Sequence, residues 1–303
     1  MSAAIMLPDT TSPGLATETR IVPRKSVALP GGRNIAYAEK GTGPDLVAIH
    51  GTLMTLEDMW LGPIPALARH FRVMAVDRPG HGMSVRPRGR DASPWRQAEL
   101  IHAAVQALGL ERPVILGHSF GGSVALAYGL LYPDAVAGIV ALAPVCFPEV
   151  RLEPILFGPR ALPFGLGLSA GLNQVSDSGL LPLLWNTMFL PQTMPEAFSK
   201  AYPFGFAGRA TQIVAEGEDA LALGPALVRS AMAYPSYRVP VRLLAGSADI
   251  VVNPLLHAAL AAQMIPDAEL TLLPGIGHML HHVQPDLVVE AACAICFEDQ
   301  SKF

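Results

Sequence analysis

The chain has 303 residues, of which 51% are hydrophobic and 15% charged, so it can bury a sizeable core and whole-chain disorder is excluded. At roughly 100–200 residues per domain, this length allows two domains or one large α/β unit with an insertion. The formal net charge of −4 comes from 21 basic and 25 acidic side chains without a long run of like charge, which argues against a nucleic-acid partner.

The number of cysteines and the hydropathy of the N-terminal residues predict the cellular compartment of the protein. Cys146, Cys293 and Cys296 are too few for a disulfide framework, so reduced thiols and a cytoplasmic location are expected. Residues 1–20 lack a basic segment followed by an uninterrupted apolar run, so no signal peptide is predicted. Gly, Pro and charged residues interrupt every apolar stretch before ~20 residues, so no stable membrane span is predicted.

The predicted elements begin after an N-terminal arm of residues 1–23. Two strands, 25–29 and 34–39, flank Pro30-Gly31-Gly32 and predict an antiparallel hairpin. Strands and helices then alternate, which predicts βαβ units and a doubly wound, mostly parallel sheet with helices on both faces. The predicted strands are 46–50, 73–77, 114–117 and 136–143, and the predicted helices are 64–71, 94–108 and 120–131.

The alternation stops between Pro144 and Val241 and then resumes. This stretch is rich in Leu, Phe, Met, Pro and Gly and has no clear strand, and a structureless loop of that length is improbable in a compact core. We therefore predict a helical cap at residues 146–238, inserted into an α/β core of residues 24–145 and 239–303. Later predicted elements are strands 242–245 and 269–273 and helices 255–264 and 280–297.

The strongest chemical motif is residues 117–122, Gly-His-Ser-Phe-Gly-Gly, between a predicted strand and a predicted helix. A Gly-x-Ser-x-Gly pattern is weak by itself, but the apolar residues before and after it supply the strand, turn and helix of a nucleophile elbow. In that turn Ser119 is strained, its hydroxyl is exposed above the sheet, and small neighbours are needed to avoid clashes. The alternative is a glycine-rich turn with an ordinary N-cap serine.

Further features make residues 26–297 resemble the lid-bearing serine hydrolases of the α/β-hydrolase superfamily. Residues 50–52, His-Gly-Thr, follow the first core parallel strand, and residues 77–84, Asp-Arg-Pro-Gly-His-Gly-Met-Ser, follow the next. Asp249 lies just past the strand at 242–245, and His278 follows the last strand in a Pro-Gly-x-Gly loop. The insert stands where the family places its cap, so the resemblance implies an α/β-hydrolase fold with a helical cap before the seventh strand.

The resemblance also implies a catalytic triad, because Ser119, Asp249 and His278 follow the family's chain order. A serine hydroxyl is a poor nucleophile at neutral pH, so an imidazole must take its proton and a carboxylate must orient that imidazole. The oxyanion hole is expected from the backbone N–H groups of Phe120 and Thr52. Leu53 replaces Thr52 if the turn is one residue longer.

Two other histidines and two other aspartates are alternatives for the base and the acid. His281 and His282 lie one helical turn beyond His278 but do not follow the Pro-Gly-x-Gly loop. Asp267 precedes a strand and Asp286 lies in a predicted helix, so both are less suitable than the aspartate just past a strand end.

The remaining chemistry-bearing residues are interpreted as structural. His50, His81 and His118 are expected to orient loops or to support the site from behind, and Asp77 is expected to form structural hydrogen bonds at a strand end. Cys293 and Cys296 lie in an apolar helix pattern without a second cysteine pair, which favours buried side chains over a metal or redox site. No cofactor and no metal are predicted.

The cap is expected to give the substrate pocket an apolar inner face. The predicted pocket residues are Leu53, His118, Phe147, Trp185, Met188 and Met232. Further candidate lining residues are Phe157, Phe164, Phe189, Phe204 and Phe206. For any one of them, packing of the cap onto the core is the alternative. Proline and glycine in the insert suit short helices and mobile joints that open for substrate.

Hydrolysis of carboxylic esters of fairly apolar small molecules, through an acyl-enzyme, is the predicted reaction. A Ser nucleophile rather than an Asp argues against dehalogenases and epoxide hydrolases. Lactone or carbon–carbon bond hydrolysis is an alternative, since residues 56–60 look faintly like enol-lactone hydrolases. A hydrolase-fold ligand receptor with little turnover is an alternative of another class, and no oligomeric state is predicted.

Overall fold

A single mixed sheet organises the computed structural model, which describes residues 21–175 and 177–297. Its strands within those residues are β1 Lys25–Leu29, β2 Arg33–Lys40, β3 Asp45–Ile49, β4 Arg72–Val76, β5 Val114–His118, β6 Gly138–Leu142, β7 Val241–Gly246 and β8 Ala268–Leu273. The strand order is β1-β2-β4-β3-β5-β6-β7-β8. β1 pairs antiparallel with β2 and β2 with β4, while all other neighbours are parallel. The hairpin and the mostly parallel α/β sheet are thus confirmed, and most of the predicted N-terminal arm lies outside the described residues.

Helices cover both faces of this sheet. They are α1 Glu57–Leu61, α2 Ile64–Leu67, α3 Pro94–Ala107, α4 Phe120–Leu131, α5 Glu153–Leu156, α6 Gly165–Val175, α7 Asp177–Phe189, α8 Glu196–Ala201, α9 Phe204–Ala207, α10 Ala210–Ala233, α11 Leu260–Met264, α12 Leu280–Val283 and α13 Pro285–Phe297. Every residue of β5 and β6 is buried, as expected for central strands with helices on both faces. One apolar core packs around α3 and α4, and the second packs around α2 and α13.

Three of the predicted helices differ from those in the structure. The predicted helix at 255–264 begins as a π-helix, Leu255–Ala259, and continues as α11. The predicted helix at 64–71 is the single turn α2, preceded by a separate short helix, α1. The predicted last helix is divided into α12 and α13 at Gln284, whose φ of −130° and ψ of 57° are not helical. The cause is Pro285, because proline disfavours the helical conformation in the residue before it and cannot donate a backbone hydrogen bond.

The segment between β6 and β7 is the large insert. Its described residues form α5 to α10 and contain no strand, in agreement with the predicted helical character. α10 is the longest helix described, with 24 residues, and it contacts α3 and α4 of the sheet layer as well as α5 and α6 of the insert. Whether the segment works as a cap stays a prediction.

None of the helices in residues 21–175 and 177–297 is both long enough and apolar enough to cross a bilayer.

Candidate active site

Ser119 occupies the sharp turn between β5 and α4. Its backbone has φ 53° and ψ −117°, a conformation that costs an L-residue of order 1–3 kcal/mol and is tolerated where the surrounding structure enforces it. The Ser119 N–H donates to Leu142 O at 2.8 Å, which ties the turn to the neighbouring strand β6. The residue therefore has the strained strand–turn–helix geometry expected of a nucleophile elbow.

Glycines on both sides make this turn possible. A Cβ added to Gly117 would lie 2.1 Å from Gly121 O, and one added to Gly121 would lie 2.4 Å from Ile49 O. Both contacts are with backbone atoms, which cannot move aside as a flexible side chain can. The glycines of the motif are thus required by close approach of the main chain, as the sequence predicted.

Asp249 and His278 are joined by a short hydrogen bond at the carboxyl end of the sheet. The His278 Nδ1–H donates to Asp249 Oδ2 at 2.7 Å, and the backbone N–H groups of Val251 and Val252 donate to Asp249 Oδ1 at 2.8 and 2.9 Å. Burial raises the pKa of Asp249, but the imidazole and the two N–H donors lower it more, so its pKa lies below the ordinary value. The carboxylate is therefore ionised and holds the ring in one tautomer, with Nε2 as the acceptor.

The loop after β3 lies against the elbow. A Cβ on Gly51 would be 3.2 Å from the Ser119 Cβ. Among the described residues, the backbone N–H groups of Thr52 and Phe120 have no hydrogen-bond acceptor. The Leu53 N–H, by contrast, donates to Glu216 Oε1 at 2.7 Å. Of the two alternatives for the oxyanion loop, this geometry favours Thr52, because the Leu53 donor is already used.

The alternative bases, His281 and His282, contact a different carboxylate. Their Nε2 atoms lie 3.0 and 2.9 Å from Asp58 Oδ1. Burial raises the pKa of Asp58, but the two histidines lower it well below its usual range, so the charge persists. These contacts attach α12, which directly follows His278, to α1.

His50 and His81 orient loops, as expected. His50 Nε2 accepts from the Arg78 N–H at 3.0 Å, and His81 Nε2 donates to Asp219 Oδ2 at 2.8 Å. Burial lowers the pKa of His50 well below its ordinary value and that of His81 to about 3, with the Arg78 charge adding to both effects. Both rings are therefore neutral at physiological pH.

Two cavities meet at Thr52, between the sheet layer and the insert. The smaller one, about 200 Å³, is lined by Phe120, Glu216 and Asp219 among others. The larger one, about 670 Å³, extends past Asp249. Both also include the acidic and basic residues of the loop after β6, namely Glu149, Arg151 and Glu153. The expected apolar inner face is thus only partly observed, because charged side chains also line these cavities.

Two residues of the predicted triad are almost covered by their surroundings. Ser119 is 4% exposed and His278 is 2% exposed, and neither lines a cavity wall.

Among the six predicted pocket residues, Leu53 and Met188 line the larger cavity, as does Phe157. The other four need correction. His118 is buried against His278 and donates from Nε2 to His278 O at 3.1 Å. Trp185 is buried and donates from Nε1 to Leu53 O at 3.1 Å, so it supports the loop from behind.

Phe147 and Met232 are the remaining corrections. Phe147 packs against Tyr234 and His257 and lies in neither cavity wall. Met232 lies near the C-terminal end of α10, and its side chain is 81% exposed to solvent. Apolar composition alone could not distinguish an outward-facing methionine on this helix from an inward-facing one.

Two groups of described residues have ligand spacings compatible with a metal ion. The first is Asp58, His281 and His282, in which the Nε2–H groups of both histidines donate to Asp58 Oδ1. The second is His81, Glu216 and Asp219. There Asp219 already binds two guanidinium groups, those of Arg78 and Arg86, which disfavours a further cation.

Sequence reasoning missed the buried acidic residues Asp58, Glu216 and Asp219. Glu216 and Asp219 lie in a helix stretch, Glu-Gly-Glu-Asp, that by composition is typical of an exposed surface. A cluster of buried arginines and acids that are distant in sequence leaves no local spacing signal.

A family model described as the alpha/beta hydrolase fold matches residues 44–285. The chain belongs to the α/β-hydrolase family. Among curated relatives, haloalkane dehalogenase 2 of Mycobacterium tuberculosis is 28% identical over 260 residues, covering 85% of this chain and 89% of the relative.

Two further α/β-hydrolase comparisons give a local match and a structural one. A 2-hydroxy-6-oxo-2,4-heptadienoate hydrolase of Pseudomonas putida is 31% identical over 121 residues, which is 39% of this chain and 44% of that enzyme. A thermophilic esterase from Thermogutta terrifontis superposes with a TM-score of 0.69 at 22% identity, covering 89% of this chain and 96% of the esterase. At that identity the structural likeness establishes the fold alone.

Proposed function

We propose that this hydrolase uses Ser119 as a nucleophile and cleaves carboxylic esters of fairly apolar small molecules through an acyl-enzyme. The observation that carries the proposal is the serine in the strained elbow, at φ 53°, beside the loop whose Thr52 N–H is free to bind an oxyanion. The ionised Asp249 bonded to His278 supplies the remaining parts of a triad.

In the proposed reaction, the Ser119 hydroxyl attacks the ester carbonyl while His278 Nε2 takes its proton. The negative charge on the carbonyl oxygen is stabilised by the N–H groups of Thr52 and Phe120. Collapse of this intermediate breaks the ester bond, and His278 returns the proton to the departing alcohol. Water, activated by the same imidazole, then attacks the acyl-enzyme and releases the acid and the free serine.

The nucleophile distinguishes this proposal from dehalogenation. One full-length relative is named a haloalkane dehalogenase. Dehalogenases and epoxide hydrolases use an aspartate nucleophile that forms an alkyl-enzyme ester, and the elbow of this chain carries Ser119 instead. An acyl substrate is therefore the better match to the nucleophile.

The two cavities suggest where the parts of the ester bind. The departing alcohol must reach His278, whose partner Asp249 lines the larger cavity, so we place the alcohol part there. The acyl part then occupies the smaller cavity beyond Thr52 and Phe120. The insert acts as a cap in this proposal and moves to admit substrate to Ser119.

Carbon–carbon bond hydrolysis is the second candidate. The local match to the P. putida 2-hydroxy-6-oxo-2,4-heptadienoate hydrolase favours it, although that match covers 39% of this chain. Turnover of a vinylogous diketone with no turnover of aryl esters would select this candidate.

The test is steady-state turnover of 4-nitrophenyl esters together with labelling by a fluorophosphonate probe. We expect wild-type activity and labelling, and a loss of kcat by several orders of magnitude with no labelling in Ser119→Ala. Ser236→Ala, an exposed serine outside both cavities, is the matched control. Near-normal turnover by Ser119→Ala would overturn the proposal.

A further inference from the structure

Glu216 connects the insert to the proposed oxyanion loop. It lies on α10, is 2% exposed, and accepts the Leu53 N–H on Oε1 at 2.7 Å. Leu53 has φ 58°, a left-handed conformation that is uncommon for a branched side chain, so the loop needs such a partner. The carboxyl therefore holds the residue that directly follows Thr52.

The neighbours of Glu216 leave it with little compensation for a negative charge. One helical turn along, Asp219 takes Arg78 Nη1 at 2.5 Å, Arg86 Nη1 at 2.7 Å and His81 Nε2 at 2.8 Å. The cation nearest to Glu216 is Arg78 Nη2, 3.7 Å from Oε1 and outside hydrogen-bond distance. Asp219 therefore binds the nearby guanidinium groups directly, while Glu216 on the same helix binds none of them.

His81 does not supply a proton to Glu216 either. Its Nδ1 lies 3.3 Å from Glu216 Oε1, but that nitrogen accepts from the Gln212 amide at 2.8 Å and carries a lone pair. A carboxylate oxygen facing this lone pair is repelled, whereas a neutral carboxyl is tolerated.

These surroundings give Glu216 and Asp219 different pKa values. Burial raises the pKa of Glu216 to about 8, and the Asp219 charge raises it while the Arg78 charge lowers it. Although burial raises the pKa of Asp219, the Arg86 and Arg78 charges lower it far below its ordinary value. At pH 7 Asp219 is therefore ionised, and Glu216 is mostly a neutral acid with an O–H donor.

Glu216 lines the smaller cavity, whose wall also includes Thr52 and Phe120. Glu149 and Glu153 of the same cavity wall both accept from Arg151, at 2.7 and 2.5 Å, so its guanidinium compensates their charge. Among the acidic residues of the wall, Glu216 is thus the one that has no ion pair within hydrogen-bond distance in the described residues.

We propose that Glu216 forms a polar subsite that binds an oxygen in the acyl chain of the substrate, such as an ether, keto or hydroxyl oxygen a few atoms from the ester carbonyl. This inference rests on the proposed function, because the acyl carbonyl must sit at Thr52 and Phe120. The substrate class is then an otherwise apolar ester with one hydrogen-bond acceptor in its acyl part.

The experiment compares 4-nitrophenyl 3-methoxypropanoate with 4-nitrophenyl pentanoate, which differ by one ether oxygen in place of a methylene. The measured quantity is the ratio of their kcat/KM values, divided by the ratio of their hydroxide-catalysed rates. Effects of pH on the chemical steps common to both esters cancel in this ratio. We expect the wild-type ratio to exceed one severalfold at pH 7 and to fall as pH rises through about 8, because ionised Glu216 loses its O–H donor.

Three variants distinguish loss of the Glu216 hydrogen-bond donor from a general change in the structure. Glu216→Gln keeps an oxygen for the Leu53 N–H and an N–H donor for the cavity, so it should keep the preference without the fall near pH 8. Glu216→Met removes both and should bring the ratio to about one. Glu218→Gln changes a buried carboxyl on the same helix that contacts Arg86, Arg88 and Gly89 rather than Leu53. It should leave the ratio and its pH profile unchanged.

The outcomes also distinguish failure of the Glu216 subsite from failure of the proposed function. Serine-dependent hydrolysis of the pentanoate with a ratio that is unaffected by Glu216→Met overturns the subsite and leaves the proposed function standing. Failure to hydrolyse either ester, with no fluorophosphonate labelling of Ser119, overturns both.

Discussion

Asp249 is fixed by three hydrogen bonds, and only one of them involves the imidazole. The N–H groups of Val251 and Val252 occupy Oδ1, which leaves Oδ2 to accept from His278 Nδ1. In Asp249→Asn, the Oδ1 position can still accept both backbone donors, so the amide nitrogen faces the imidazole. A donor then faces a donor, and the ring must adopt the wrong tautomer.

We therefore expect Asp249→Asn to fold with a melting temperature close to that of wild type and to lose a factor of about 10³–10⁴ in kcat. Steady-state kinetics and thermal unfolding of the same preparation measure the two effects. A fully active Asp249→Asn enzyme would show that another group orients His278.

At this scale the sequence predicted residue types that follow strand ends, and it missed partners that meet only through folding. Ser119, Asp249 and His278 follow strands in motifs with fixed spacing, so their common edge of the sheet could be foreseen. Glu216 is distant in sequence from Leu53, and its role depends on the path of the whole insert.

The element that decides nucleophile geometry is the turn from β5 into α4. A Cβ at Gly121 would lie 2.4 Å from Ile49 O and 2.5 Å from His50 O, so Gly121→Ala forces β3 and α4 apart. We expect a loss of about 1–3 kcal/mol in the free energy of unfolding. We also expect lower kcat, because the loop that follows His50 carries Thr52.

Gly171→Ala is the matched control for this change. Gly171 lies in α6, and a Cβ there meets no atom within 4 Å. Alanine in that helix should be neutral or stabilise by up to about 1 kcal/mol. Chemical denaturation of both variants measures the difference. Equal stability of Gly121→Ala and wild type would contradict the packing argument.

Among the elements, regular strands were predictable because runs of β-branched and aliphatic residues mark β3 to β7. The breaks were harder to place. Pro285 divides α12 from α13, while α1 consists of five residues whose burial comes from the surrounding fold rather than from its own periodicity.

At the scale of the whole molecule, two cavities lie between the sheet layer and the insert, and the proposed function assigns the acyl part of the substrate to the smaller one. The smaller cavity has both charged and apolar walls. Its apolar part includes Val145, Leu223 and Leu227. Each added acyl CH₂ is worth ~0.8 kcal/mol when buried, or about fourfold in kcat/KM. We expect specificity to rise from acetate esters to longer straight-chain esters and then to level off when the cavity is full.

A series of 4-nitrophenyl esters of increasing acyl length measures this trend. The highest kcat/KM for the acetate ester would contradict an acyl site in this cavity. Cavity shape was beyond sequence reasoning, because the insert helices have little periodicity and their inward faces are set by contacts with α3, α4 and the loop after β3.

The central claim, that Ser119 carries the acyl group during turnover, is tested most directly by mass spectrometry of the enzyme quenched in acid during ester hydrolysis. We expect the mass of the wild-type protein to increase by that of the acyl group and the modification to lie on the peptide that contains Ser119. We expect no increase in mass for Ser119→Ala. Rapid turnover with an acyl group on another residue, or with Ser119 unmodified under conditions that trap acyl-enzymes, would contradict it.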